Sequence, residues 1–110
     1  MVLLTPRSDL TADERAAAID VLNRLTSEIP DVQRFRIGRR VKHALPGYEE
    51  QMKEDYQLAL ILELEDLDAL KRYLQAPAHR ALGKLFSTAT SNAIAYDYEI
   101  VDASRSQVLL

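Results

Sequence analysis

Apolar residues along this chain recur with two alternating periods. Val2-Leu3-Leu4 is a short apolar run stopped by Pro6, which reads as a first strand. Thr11-Ala-Asp-Glu14 has the spacing of a capping box, and Ala18, Leu22, Leu25 and Ile29 then fall on one helical face until Pro30 and Asp31 end it. From Val32 to Arg39 the period drops to two, with Gln33, Phe35, Ile37 and Arg39 on one side and Val32, Arg34, Arg36 and Gly38 on the other. Arg40 to Glu54 is charged and contains the turn pair Pro46-Gly47, so it reads as a long loop.

Asp55 to Leu64 alternates again. Tyr56, Leu58, Leu60, Leu62 and Leu64 form one apolar face, and Ala59 and Ile61 make the other half apolar. Asp66 is placed to cap a helix running to Leu74, with Leu67, Leu70 and Leu74 expected inward. Pro77 suits the first turn of a helix and cannot continue one, so a second segment is expected from Ala78 to about Ser91, with Leu82, Leu85, Phe86 and Ala89 inward. Ile94 to Val101 alternates once more, with Ile94, Tyr96, Tyr98 and Ile100 opposite Asp97 and Glu99. Ala103 to Leu110 reads as a tail with an unusual apolar end, Val108-Leu109-Leu110.

The order strand, helix, strand, strand, helix, strand predicts an α+β, ferredoxin-like βαββαβ protomer with a four-stranded antiparallel sheet and helices on one face. The other face carries Val2 or Leu3, Ala59, Ile61, Ala95 and Val101 among its charges. An antiparallel sheet faces water only through a polar side, so this face is expected to pack on a second copy as a homodimer.

Composition narrows the function. The chain has 110 residues, one domain's worth, and a net charge of -3 leaves no electrostatic footprint for nucleic acid. No apolar run approaches the ~18 residues that span a bilayer, so no membrane partner is expected. There is no cysteine, so no disulfide framework or thiolate site exists, and a cytoplasmic location is the default. Two widely separated histidines, His43 and His79, give no metal-ligand spacing, and three glycines are too few for a phosphate-cradling loop. No metal and no cofactor is expected.

The chemistry gathers at Tyr73-Leu-Gln-Ala-Pro77-Ala78-His79. The break at Pro77 puts His79 in the first turn of the new helix, within reach of Tyr73. On a catalytic reading, His79 takes a proton alpha to a carbonyl and Tyr73 steadies the oxyanion. On a structural reading, His79 caps backbone groups at the break while the Tyr73 ring packs beneath it. Tyr56, Leu82, Phe86 and Tyr96 are expected to line a substrate-binding pocket between sheet and helices. His43, beside Lys42 and Tyr48, is expected to be solvent-exposed. The cluster Arg34, Arg36, Arg39 and Arg40 could hold an anionic substrate, but alternation puts Arg34 and Arg36 together and Arg39 opposite, so salt bridges to Asp97 and Glu99 across the sheet are the expected role.

Several of these pieces resemble one family. Ile29-Pro30-Asp31-Val32 looks like its helix-to-strand corner. Gly38, the strand Tyr56 to Leu64, Leu70 to Tyr73, Pro77-Ala78-His79 and Tyr96-Asp97-Tyr98 follow in its order. The chain resembles the stress-responsive dimeric α/β-barrel (Dabb) family over residues 1–102, with 103–110 left as a tail. The resemblance implies a ferredoxin-like protomer whose dimer encloses a barrel. Most members have no known reaction. An enzymatic one, olivetolic acid cyclase, closes a polyketide ring by an aldol-type step with a Tyr and a His that match Tyr73 and His79 by motif. A cofactor-free cyclase, isomerase or lyase is thus one implied activity, and a structural, stress-associated oligomer is another. Two departures stand out: the first strand has no His, and Ala76 occupies a position before the Pro where the family often has one.

Overall fold

The computed structural model describes residues 1–110. Strands β1 (Val2–Pro6), β2 (Arg34–Arg39), β3 (Leu58–Glu63) and β4 (Thr90–Ala95) form one antiparallel sheet in the order β2-β3-β1-β4. Helices α1 (Ala12–Ser27), α2 (Leu67–Gln75) and α3 (Pro77–Ala89) complete the fold, and α1 packs on α3. This is the ferredoxin-like order that the alternating periods predict. Short 3-10 turns occupy Glu49–Gln51 in the long loop and Ala103–Val108 in the tail. No helix is long and apolar enough to cross a membrane.

Local sequence explains most of the boundaries. The Thr11 hydroxyl accepts a hydrogen bond from the Glu14 amide at 3.1 Å and opens α1. Asp66 Oδ1 accepts one from the Ala69 amide at 2.8 Å and opens α2. Gly47 takes a φ of +86° in the turn after Pro46, where a side chain would be strained. The core joins Val2 and Leu4 of β1, Leu60 of β3, Leu25 of α1, Ile29 and Val32 of the corner, and Tyr73, Ala78 and Leu82 of the α2–α3 pair.

The pleat assigns the faces. Val2 shares a row with Leu60 and Ala95, and Leu60 with Ile37; this row faces the helices. One residue along, Gly38, Ala59, Leu3 and Ile94 form a row on the opposite side. No helix covers that side, and the protomer is a slab with extents of 44 × 43 × 17 Å. Leu3, Ala59 and Ile61 therefore lie on the open face as expected. Ala95 does not, because it pairs with Val2 and turns toward the helices; Ile94 takes its place.

Three other expectations are corrected. Pairing of β4 covers Thr90–Ala95 and stops short of Val101: Met1 exchanges main-chain bonds with Tyr96, and the amides of residues 97–101 make none. Within α2, Leu67 and Leu74 are exposed, and the inward stripe is Ala69, Leu70 and Tyr73. Ala69 and Tyr73, four residues apart, share the face that α2 buries, which leaves Leu67 and Leu74 off it. Lastly, β2 and β4 are opposite edges of the sheet, so Asp97 and Glu99 cannot reach Arg34 or Arg36 within one chain. Arg36 instead pairs with Glu63 at 2.8 Å, and Arg40 and Lys42 share Asp55.

Candidate functional site

The site grows from the break between α2 and α3. Ala76 is both the last cap of α2 and the first cap of α3, with φ -69° and ψ 143°, the extended shape that a following proline imposes. Its carbonyl accepts from the amides of His79 (3.0 Å) and Arg80 (3.2 Å), while its own amide donates to the Tyr73 carbonyl at 3.1 Å. One residue thus turns the chain and satisfies both helix ends.

That turn brings the Tyr73 and His79 rings edge to face, with centroids 4.8 Å apart and planes at 62°. His79 Nδ1 lies 3.1 Å from the Leu74 carbonyl oxygen. A carbonyl only accepts, so Nδ1 carries the proton, and in the neutral ring the lone pair is then on Nε2. The main-chain bond is what the structural reading requires. The remaining lone pair is what the catalytic reading requires.

Tyr73 is buried, yet its hydroxyl has no protein partner; because no fully buried polar atom lacks a partner, that oxygen opens to solvent. Burial pushes the phenol pKa up to about 12, and the charge of Asp97 adds to the shift. The hydroxyl is therefore a proton-bearing donor at physiological pH. Asp97 makes no ion pair with the arginines in the protomer, and its charge acts on the Tyr73 phenol. Its position directly after Tyr96, where β4 ends above the start of α3, was the available signal.

The expected lining residues do not converge. Leu82 is sealed in the core at 1% exposure. Phe86 is half-buried and lines an open groove of about 480 Å³ between α3 and β4, together with Gly83, Ser87 and Thr90 to Ala95. Tyr96, exposed, continues β4 beside Met1, whereas half-buried Tyr56 precedes β3 at the other end of the sheet. Five rows separate the two tyrosines, about 17 Å. A second groove, of about 340 Å³, is lined by Arg7, Glu14, Ala17, Leu85, Thr88 and Ala89. Neither groove is lined by Tyr73 or His79. His43 is exposed and packs on Tyr48 in the loop, 5.4 Å between centroids. No cluster of three His, Cys, Asp or Glu has the geometry to hold a metal ion.

Comparison with known proteins gives a family and a fold. Residues 1–100 match the model of the stress responsive A/B barrel domain. A dimeric ferredoxin-like protein of unknown function from Jannaschia sp. CCS1 is 27% identical, with a TM-score of 0.64 over 90% of this chain and 94% of that one. A Dabb family protein with a ferredoxin-like fold from Mesorhizobium loti is 22% identical, with a TM-score of 0.68 over 92% and 93%. At3g17210 from Arabidopsis thaliana is 17% identical, with a TM-score of 0.70 over 93% of each chain. No curated protein matches the chain.

Proposed function

The chain belongs to the stress responsive A/B barrel (Dabb) family, and from that premise we propose that it acts as a homodimer binding a small, partly apolar molecule beside Tyr73 and His79. The reading rests on one observation: the Tyr73 ring is buried but its hydroxyl is unpartnered and open. A group in that state donates to an acceptor such as a carbonyl oxygen on a ligand. Dimerisation is supported by the uncovered row Gly38-Ala59-Leu3-Ile94 and by the dimeric description of the relatives from Jannaschia, Thermobifida fusca and Bacteroides fragilis.

The test is a titration with aromatic ketones and linear β-diketones, followed by NMR. Shifts should concentrate at Tyr73, His79 and Asp97, and Tyr73→Phe should weaken binding about tenfold. Shifts confined to other regions, or a Tyr73→Phe variant that binds equally well, would remove Tyr73 from the role.

A second reading, cofactor-free proton transfer, is favoured by the tautomer of His79. With Nδ1–H held by Leu74, the basic nitrogen of the neutral ring is Nε2. It would take a proton alpha to a carbonyl while Tyr73 donates to the developing enolate oxygen. Deuterium exchange from heavy water into the alpha position of a bound ketone measures this step alone. Exchange should vanish in His79→Ala; equal exchange in wild type and variant would leave only the binding role or a structural oligomer.

A further inference from the structure

The long loop between β2 and β3 is fastened at its base and tied at its tip by different chemistry. At the base, the Arg40 amide donates to the Gln57 carbonyl at 2.8 Å, and Arg40 and Lys42 both pair with Asp55, at 2.6 and 2.8 Å. The Thr5 hydroxyl of β1 donates to the Asp55 carbonyl at 2.8 Å. The hydrogen bond from Lys42, with the positive charges of Arg40 and Lys42, holds the Asp55 carboxyl below its ordinary range. The charges of the base therefore persist from about pH 5 to about pH 8.

The tip, residues 43–49, is built around a histidine and a carboxylate. The Leu45 amide donates to His43 Nδ1 at 3.1 Å. A donor two residues on is the geometry of an Asx turn, with a ring nitrogen in place of the side-chain oxygen. Nδ1 therefore holds the lone pair and, in the neutral ring, Nε2 the proton, the reverse of His79. Glu49 accepts from the amides of His43 and Ala44, the latter at 3.2 Å to Oε2, and its Oε1 lies 3.9 Å from His43 Nε2. Between these contacts Ala44 has a φ of +57°, a left-handed backbone that alanine rarely adopts. The bonds of the Leu45 and Ala44 amides hold it there, since one such bond contributes about what the conformation costs.

We propose that residues 43–49 form a pH-sensitive switch, in which protonation of His43 trades the Leu45 bond for an ion pair with Glu49 and releases the left-handed turn at Ala44. An imidazolium carries a hydrogen on each nitrogen, so Nδ1–H meets the Leu45 N–H and that bond is lost. The charge on the ring also draws the Glu49 carboxylate toward Nε2 and away from the two amides. Both changes remove what offsets the strain at Ala44. The other groups around the ring do not oppose them. Tyr48 meets it in a T-shaped contact, 5.4 Å between centroids; Lys42 is engaged by Asp55; and Glu50 is turned to the Gly47 amide. The base stays paired, which confines the change to the tip. Histidine is the side chain that titrates between about pH 5 and about pH 8, so the tip is ordered at the upper end of that range and released at the lower.

NMR of the wild-type protein between about pH 8 and about pH 5 reads the switch. The Leu45 amide shift should follow the His43 ring with one midpoint. Protection of the Ala44 and Leu45 amides, taken relative to intrinsic exchange rates, should fall about fivefold across it. The Arg40 amide, at the base, should not change. His43→Asn keeps an acceptor at the place of Nδ1 that does not titrate, so its tip should be as ordered at the low end as at the high. A Leu45 amide that ignores the His43 ring, protection that holds level, or a tip that exchanges freely already at the high end would each overturn the switch. So would a His43→Asn protein whose tip titrates as wild type does.

Discussion

The imidazole of His79 reaches back across the Pro77 break to the carbonyl of Leu74, 3.1 Å from Nδ1. Position 79 therefore has two separable jobs, one for each ring nitrogen. An asparagine side chain can place an N–H where Nδ1–H lies but offers nothing at the place of Nε2. His79→Asn should keep thermal stability near wild type while His79→Ala loses about 1 kcal/mol. Both should abolish any proton transfer. A melting temperature equally lowered by Asn and Ala would show that the Leu74 bond is not what the ring contributes.

Alkaline titration separates Tyr73 from the other tyrosines. Its pKa in the fold, about 12, lies above the value of an unfolded tyrosine, about 10. The fold thus binds a proton that the unfolded chain releases between these values. Stability from this group is complete below about pH 10 and is lost as pH rises through about 12. Tyr73→Phe should flatten that decline in denaturant titrations, and one tyrosinate absorbance step should disappear from the alkaline end.

At the acid end the sensitive pair is Asp31 and Arg72, which ties the α1–β2 corner to α2. Arg72 Nε and Nη2 both approach Asp31 Oδ1, at 3.0 and 2.8 Å. The guanidinium's hydrogen bond holds the Asp31 carboxyl below its ordinary range. Its contribution is present above the unfolded carboxylate value of about 4 and is lost as pH falls through the lower folded value. Arg72→Gln should lower stability at neutral pH and make the acid limb less steep. Identical limbs in the two proteins would show the pair to be energetically silent.

Leu82 and Phe86 lie one turn apart on α3 and differ in what they do. Leu82→Ala should cost about 2–5 kcal/mol, the range for a sealed leucine. Phe86, on an open groove, should cost less when shortened, and its loss should be felt in ligand titrations if that groove is used. Comparable stability losses at the two positions would place Phe86 in the core as well.

The open face is tested at Ile94, which ends the apolar row on the edge strand. Ile94→Lys puts a charge where a second sheet would pack and should yield a folded monomer by sedimentation. An unchanged dimer would locate the interface elsewhere.

Much of this was legible locally. Capping by Thr11 and Asp66 and the break at Pro77 are short-range effects, and the strands β2 and β3 declare themselves by period. The Tyr73–His79 meeting follows from the break alone. What was illegible depended on neighbours. Residues 96–101 have every property of a strand except something to pair with, and Thr90-Ser91-Asn92 are small and polar yet lie beside β1 and so become one. Tyr73 is inward while Leu67 and Leu74 are not: α2 seats on the face of Ala69 and Tyr73, which hydrophobicity along the helix does not record. The ion pairs of the arginine cluster required knowing which strands are edges.

One consequence of the thin slab concerns heat. Only 11 of 110 residues are buried in the isolated protomer, a small interior for resisting thermal disorder. Where two such slabs associate, mass action makes the melting temperature climb with protein concentration. This chain's thermal resistance then depends on how many copies the cell holds.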